Sequence, residues 1–502
     1  MSTEIAVLLL LTAFGAALRF STLGVQSFSF DEAFGAHRVL DGSLGHVLSA
    51  LPRTESSPPL HYLLAWLWSN VFGSGEVALR SLSALAGTAL VPVTWAAARA
   101  LGLSVGALIA AALVAFNPFL IWYSQEARTY ALFALLAGAS FWAFCGALGQ
   151  GTTRRLMVWA GVSALALTSH YFAVFVVVPE AVWLLVFTPR RRPALAAVGV
   201  VAAAGLALLP LALRQAGGRT EWISGEPLST RARGVVSKFL VGEIDPTSDA
   251  VLLGGALVLL GVLVWIVLRC DARDLRAAKL AGAVGAAALL LPTGLDLVGF
   301  HYVLSRNLIA SMPVLAVAAG ATLGAASGAL GRVTAGLLCA AWLAIGVAGA
   351  LDPRLQRFDF RSAARAVEPE LRPDVAVIAS SPGSAPLELY LAGTRTPGPE
   401  GTLATEIVLV QPLRRRDARA PGRGETPEAP VGFAFADRRD RRTYTLIRYR
   451  APQPVRVGPA TADQVTALAG NGPTLLERPA PSGEPHAEGA KHRSGAHAPV
   501  HG

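Results

Sequence analysis

Pro58-Pro59-Leu60-His61-Tyr62-Leu63-Leu64-Ala65-Trp66-Leu67-Trp68-Ser69-Asn70-Val71-Phe72-Gly73 is the stretch on which the fold turns. Its apolar part has about 13 residues, against the roughly 20 that a helix needs to span a bilayer. It begins after a rigid Pro-Pro step and stops at a glycine, which suits a helix lying at the membrane interface. Charge decides the question. If Leu60 to Phe72 does not cross, one set of loops collects Arg99, Arg154-Arg155, Arg190-Arg191-Arg192, Arg269, Arg273, Arg276, Lys279 and Arg332. The positive-inside rule makes that set cytoplasmic. The opposite set then holds Asp31-Glu32, Glu55, Ser124 to Arg128, His170-Tyr171, the loop 214–249 and His301-Tyr302.

Composition agrees with a membrane protein: 53% of the 502 residues are hydrophobic and only 15% are charged, too apolar for a soluble chain of this length. The expected architecture is a polytopic α-helical membrane protein. Its apolar segments lie near 4–20, 79–98, 105–123, 130–149, 156–169, 171–188, 194–213, 250–268, 277–293, 306–326 and 333–351, about eleven spans in all. The net charge of +10 sits in short clusters between these segments, which argues for membrane orientation and against nucleic acid. Cys145, Cys270 and Cys339 show no CxxC spacing, so neither a disulfide framework nor a zinc site is expected. The first apolar run has no basic n-region and no clear A-x-A cleavage site, and reads as an uncleaved span. That puts the amino terminus in the cytoplasm and the carboxyl-terminal domain outside.

Carboxylates at a membrane rim are costly to dehydrate and are read as a site by default. Asp31 and Glu32 sit among aromatics in Ser27-Phe28-Ser29-Phe30-Asp31-Glu32-Ala33-Phe34, and Glu55 stands just ahead of Pro58-Pro59. The plainer reading has Asp31 as a helix N-cap. Arg19 ends the first span, where an arginine snorkels to headgroups or meets an anion. The 214–249 loop is basic for an outer loop, through Arg214, Arg219, Arg231, Arg233 and Lys238, and its 230–240 part suits an interfacial helix near anionic lipid.

After Leu351 the composition changes. Residues 352–451 carry β-type runs at 374–379, 406–410 and 444–449 behind a helix at 362–371, and read as a small extracytoplasmic α/β domain. From 452 to 502 the chain is rich in Pro, Gly and Ala and reads as a disordered tail. Its histidines His486, His492, His497 and His501 fit a solvated low-complexity end better than a metal site.

Several of these motifs fall in a familiar order. Asp31-Glu32 after the first span, an acid before Pro58-Pro59-Leu60, and Asn117-Pro118 followed by Trp122-Tyr123-Ser124-Gln125-Glu126-Ala127-Arg128-Thr129-Tyr130 resemble glycosyltransferase family 39. These are GT-C membrane enzymes that include the protein O-mannosyltransferases and are related to the lipid A aminoarabinose transferases. His170-Tyr171, Ser305-Arg306-Asn307 and Phe358-Asp359-Phe360-Arg361 extend the resemblance over most of residues 1–390. It implies an inverting transfer of a sugar, mannose by family habit, from a polyprenyl-phosphate donor to an acceptor hydroxyl of a protein, glycan or lipid. Two departures bear on the acceptor. The lysine of the O-mannosyltransferase Pro-Pro-Leu-Gly-Lys is absent, since His61-Tyr62 stand there, and there is no β-trefoil domain.

On this resemblance Asp31 is the candidate general base, which inversion requires because an acceptor hydroxyl is a poor nucleophile. Glu32 and Glu55 would orient the acceptor or hold a sugar hydroxyl. His61, Gln125, Glu126, His170 and Tyr171 are further candidates for binding sugar or acceptor. Arg128 and Arg306, at outer ends of spans, are candidates for the donor phosphate, which arginine clamps bidentately. No acidic pair has metal-site spacing and no D-x-D pattern occurs, so catalysis without a metal or other cofactor is expected. The rival reading is a lipid-linked-sugar flippase or transporter, which would show ionisable residues deep within spans. Glu180 and Asp296 are the residues that bear on it. The expected location is the cytoplasmic membrane.

Overall fold

The structure is a computed structural model. It describes the chain except residues 1–2, 41, 149–150, 217–220, 244–260, 262–263, 265–267, 269–270, 326–328, 380–383, 413–425, 467–473 and 480–502. There are two compact units. The first takes in Met1–Arg361 and the second begins at Ser362 rather than at the expected 352.

The first unit is helical. Its order is α1 (Thr3–Phe20), α2 (Phe30–Phe34), a π-turn (Gly35–Val39), α3 (Leu44–Thr54), α4 (Leu60–Phe72), α5 (Glu76–Ala100), α6 (Val105–Phe116), α7 (Pro118–Ser124) and α8 (Tyr130–Ala147). There follow α9 (Thr153–Ser169), α10 (Val174–Phe187), α11 (Arg191–Gln215), α12 (Glu221–Ser224), α13 (Leu228–Val241), α14 (Ala272–Leu297), α15 (Ser311–Ala325) and α16 (Leu330–Leu351). Among the described residues α1, α5, α8, α11, α14 and α16 are long and apolar enough to cross a bilayer, and the bent pair α6–α7 makes a seventh.

That is fewer, among the described residues, than the expected count of about eleven segments. A hydropathy window counts apolar residues without seeing where the helix stops. The segment at 156–169 becomes a helix of 17 residues, that at 306–326 one of 15, and that at 171–188 is shared between a 3-10 turn and α10. The segment at 250–268 lies outside the described residues for the most part. α4 does end where expected, at Gly73 with φ +89°, a conformation open to glycine. Its 13 residues rise only about 20 Å, well short of the ~30 Å bilayer core.

Proline and glycine shape the bundle. Asn117 stops α6 because Pro118 has no N–H to continue it; the Asn117 Oδ1 then accepts from the Leu120 N–H at 3.0 Å, starting α7 at 57° to α6. α6 and α15 touch backbone to backbone: a Cβ on Gly106 would lie 2.7 Å from the Gly320 carbonyl. Aromatic rings fill the centre, with Phe119, Phe133, Phe141, Phe144 and Trp159 fully buried, while Leu10, Leu206 and Leu213 face outward as lipid-facing residues would.

α17 (Phe360–Val367) begins at the end of the first unit and leads into the second, followed by a 3-10 turn (Glu368–Glu370), a shorter helix than expected. Next come β1 (Val375–Ala379), α18 (Ser384–Tyr390), β2 (Thr402–Pro412), β3 (Ala434–Asp440), β4 (Tyr444–Val457), α19 (Pro459–Thr466) and β5 (Thr474–Glu477). The sheet order is β3-β4-β2-β1-β5. β1 pairs parallel to β2, with Val377 opposite Val408, and all five β1 residues are buried, as a central strand requires. The tail expected from 452 does not start there. β4 runs on to Val457, and β5 pairs antiparallel with β1 through Val377 and Leu476. The four tail histidines lie outside the described residues.

Candidate active site

The site grows from the short helix α2. Its N-cap is Ser29, not Asp31: the Glu32 N–H donates to the Ser29 hydroxyl, and the Ser29 N–H donates back to Glu32 Oε2 at 2.9 Å. This capping box turns Glu32 inward. There it meets Arg80 from α5, whose Nε donates to Oε1 at 2.7 Å and Nη2 to Oε2 at 2.8 Å. The remaining N–H groups of Arg80 go to the carbonyls of Leu23, Gln26 and Ser27. The Ala127 N–H also donates to Glu32, at 2.9 Å. Burial pushes the Glu32 carboxyl up, but Arg80 and Arg357 outweigh it and hold it down at about 2. Glu32 therefore joins the first loop, α5 and the corner after α7.

Glu55 is tied down in the same way. Arg128 Nη2 donates to its Oε2 at 3.0 Å and Nη1 to its Oε1 at 3.3 Å, and the Tyr62 hydroxyl donates to Oε2. Arg128 also reaches the Asp31 carbonyl, and its Nε is buried with no partner among the described residues. Glu126 is buried as well and accepts from Arg357 Nη2 at 2.8 Å. Burial pushes its carboxyl up to about 7 against the pull of Arg357.

Asp31 differs from all of these. Its side chain is 39% exposed, and among the described residues it has one hydrogen-bond donor, Arg306 Nη1 at 3.3 Å. The Arg306 side chain is itself 30% exposed and lies over the Tyr130 ring at 5.8 Å. Two neighbours in sequence thus have opposite surroundings.

The other sequence candidates brace the fold. The Gln125 amide donates to the carbonyls of Leu18 and Arg19 and to the Thr22 hydroxyl, closing the end of α1. His170 stacks on Phe133 at 4.4 Å, its Nδ1 accepts from the Phe172 N–H, and burial holds its ring down at about 3. His61 is buried edge-on to Tyr62, with a backbone hydrogen bond at Ala127, and is likewise pushed down to about 3, first by burial and then by Arg128. The Tyr171 hydroxyl donates to Gln215, whose amide ties down the carbonyls of Leu51 and Ser57.

Arg19 neither snorkels nor stands open to an anion. It is fully buried and donates to the carbonyls of Gly15, Val114 and Ala115 and to Ser124, capping the break between α6 and α7. Arg231, in the expected basic helix, forms a buried bidentate pair with Asp296 at 2.6 and 2.8 Å. Glu180 is buried between helices, accepting from Ser140 on α8 and Trp159 on α9, with Oε1 unpartnered among the described residues.

Sequence reasoning passed over two residues. Arg80 reads as an orientation residue, and Arg357 precedes the Phe358-Asp359-Phe360-Arg361 motif without belonging to it. Periodicity could not find them, because their partners are 48 and 231 positions away in the chain. Arg361 pairs with Glu76 and with the carbonyls of Gly24 and Val25.

Residues 56–213 match the family described as dolichyl-phosphate-mannose-protein mannosyltransferase, so the resemblance read from the motifs stands over that part of the chain. No curated protein matches the sequence. Among solved structures, ArnT from Cupriavidus metallidurans bound to undecaprenyl phosphate is 14% identical, covering 89% of this chain and 98% of its own, at a TM-score of 0.43. The Archaeoglobus fulgidus oligosaccharyltransferase in the apo form is 14% identical over 78% of this chain and 60% of its own, at 0.42. The S. cerevisiae Pmt1-Pmt2 protein O-mannosyltransferase complex bound to the sugar donor is 18% identical; the match covers 43% of this chain and 33% of that one, at 0.33. These superpositions are loose.

Proposed function

We propose that this chain, a membrane glycosyltransferase of the GT-C type, transfers a sugar from a polyprenyl-phosphate donor to an acceptor hydroxyl at the outer face of the membrane. Asp31 is the general base and Arg306 the first ligand of the donor phosphate. One observation carries the assignment: of the acids gathered here, Asp31 is the exposed one, held by a single arginine, while Glu32 and Glu55 are buried under bidentate arginines. A base must reach the proton it takes, and a carboxylate locked in two charged hydrogen bonds is poorly placed for that.

In the proposed reaction Asp31 accepts the acceptor's proton as the new glycosidic bond forms on the face opposite the departing phosphate. Arg306 stabilises the charge that develops on that phosphate. Arg128 stands second in line for the phosphate; both its Nη groups hold Glu55, and through the Asp31 carbonyl it also steadies α2. Glu126 is the candidate for a sugar or acceptor hydroxyl. Mannose follows from the name of the matched family alone. The transporter reading loses ground at Asp296, which is closed by Arg231.

The test is transfer of radiolabelled sugar from a polyprenyl-phosphate donor by purified chain. Asp31→Asn should lower the rate roughly 100-fold or more while the protein inserts and elutes as the parent does. Wild-type rate in that variant would remove Asp31 as the base.

A further inference from the structure

Residues 356–361, just after α16, run back across the first loop as a strap. The Arg357 N–H donates to Gln26 Oε1 at 2.9 Å, Ser27 Oγ donates to the Phe358 carbonyl, and the Phe360 N–H donates to Ser27 Oγ, both at 3.0 Å. This lays the Arg357 side chain, 10% exposed, over the Trp122 ring at 4.4 Å. Its guanidinium lies between two buried acids, 2.8 Å from Glu126 and 3.7 Å from Glu32, and Nη1 also donates to the Gln125 carbonyl. Glu32 has Arg80 as its nearer, bidentate counter-ion. The charge of Arg357 is therefore available to Glu126.

We propose that Arg357 is a positioning residue for transfer, orienting the Glu126 side chain beside Asp31 and Arg306 and favouring its carboxylate form. Its effect is on what Glu126 offers a substrate hydroxyl. A carboxylate accepts hydrogen bonds; a carboxylic acid must donate one. The charged and titratable groups facing Glu126 are Arg357, Glu32, Asp31 and Arg306, with Tyr123 and Tyr130 alongside. Burial already lifts the Glu126 carboxyl to about 7, and without Arg357 it would rise further toward the protonated acid. This rests on the transferase reading only for the role of Glu126, not for the ion pair.

The experiment compares initial rates across pH for wild type, Arg357→Gln, Arg357→Lys, Glu126→Gln and the Arg357→Gln/Glu126→Gln pair, in the reconstituted full chain. Arg357→Gln should move the acid limb of the profile up by about one pH unit or more, and lysine should restore most of it. The double variant should show no shift beyond Glu126→Gln. A rate loss in Arg357→Gln that is equal at every pH, or a shift that persists in the double variant, overturns the proposal. Infrared titration of the 126 carboxyl, isolated by difference against Glu126→Gln, reads the contact without any turnover. An unchanged midpoint in Arg357→Gln refutes the ion-pair role. Absence of transfer by wild type with a raised midpoint in Arg357→Gln refutes the transferase reading alone.

Discussion

Asp31 and Glu32 are adjacent, chemically alike and opposite in fate. The capping box on Ser29 points Glu32 into Arg80, and the next residue back along the helix is left half exposed beside Arg306. The Arg80–Glu32 pair is desolvated on both sides, so removing Arg80 takes the nearest counter-ion from a buried carboxylate. Arg80→Ala should cost about 3–5 kcal/mol, read as a lowered thermal midpoint in detergent. Two histidines give a pH effect with a definite sign. His61 and His170 drop from an ordinary 6.5 to about 3 in the folded chain. Between those values the unfolded state binds the extra protons, so stability falls as pH drops through that window. His170→Gln should flatten the fall in midpoint below pH 6.5, and an unaltered slope would show that His170 does not drive it.

Among the elements, the break between α6 and α7 does most to bring the site together, because it sets the corner carrying Gln125, Glu126 and Arg128. Asn117 serves it twice, capping α7 and donating through Nδ2 to the Phe239 carbonyl of α13 at 3.0 Å. Asn117→Ala should therefore lose about 1–2 kcal/mol and lower activity, by thermal unfolding and sugar transfer respectively. The α6–α15 crossing depends on Gly320, where a Cβ would run into the Gly106 carbonyl. Gly320→Leu should separate the helices at a cost of about 1–3 kcal/mol, and an unchanged midpoint would mean that the crossing is not tight in the membrane.

At the scale of the whole molecule, residues that charge bias assigns to one side do meet: Asp31, Glu32, Glu55, Glu126, Arg128 and Arg306 form one network. The proposed orientation puts that network outside. In a background stripped of native cysteines, Gly45→Cys should react with an impermeant maleimide added to intact cells, and Arg154→Cys should react only after lysis. The reverse pattern would move the site to the cytoplasm.

The sequence alone determined the membrane class, the short helix at 60–72, the glycosyltransferase family resemblance and the acids worth examining. These depend on local composition, helix length and charge bias, which act over a few residues. It drew its apolar segments without seeing where helices stop and began the tail too early, because neither a helix break nor a distant strand partner such as Val377 for Leu476 shows in a local window. Which acid stays open was decided only by tertiary structure. A carboxylate's environment depends on the arginine that reaches it, and Arg80, Arg306 and Arg357 reach theirs from 48, 275 and 231 residues away.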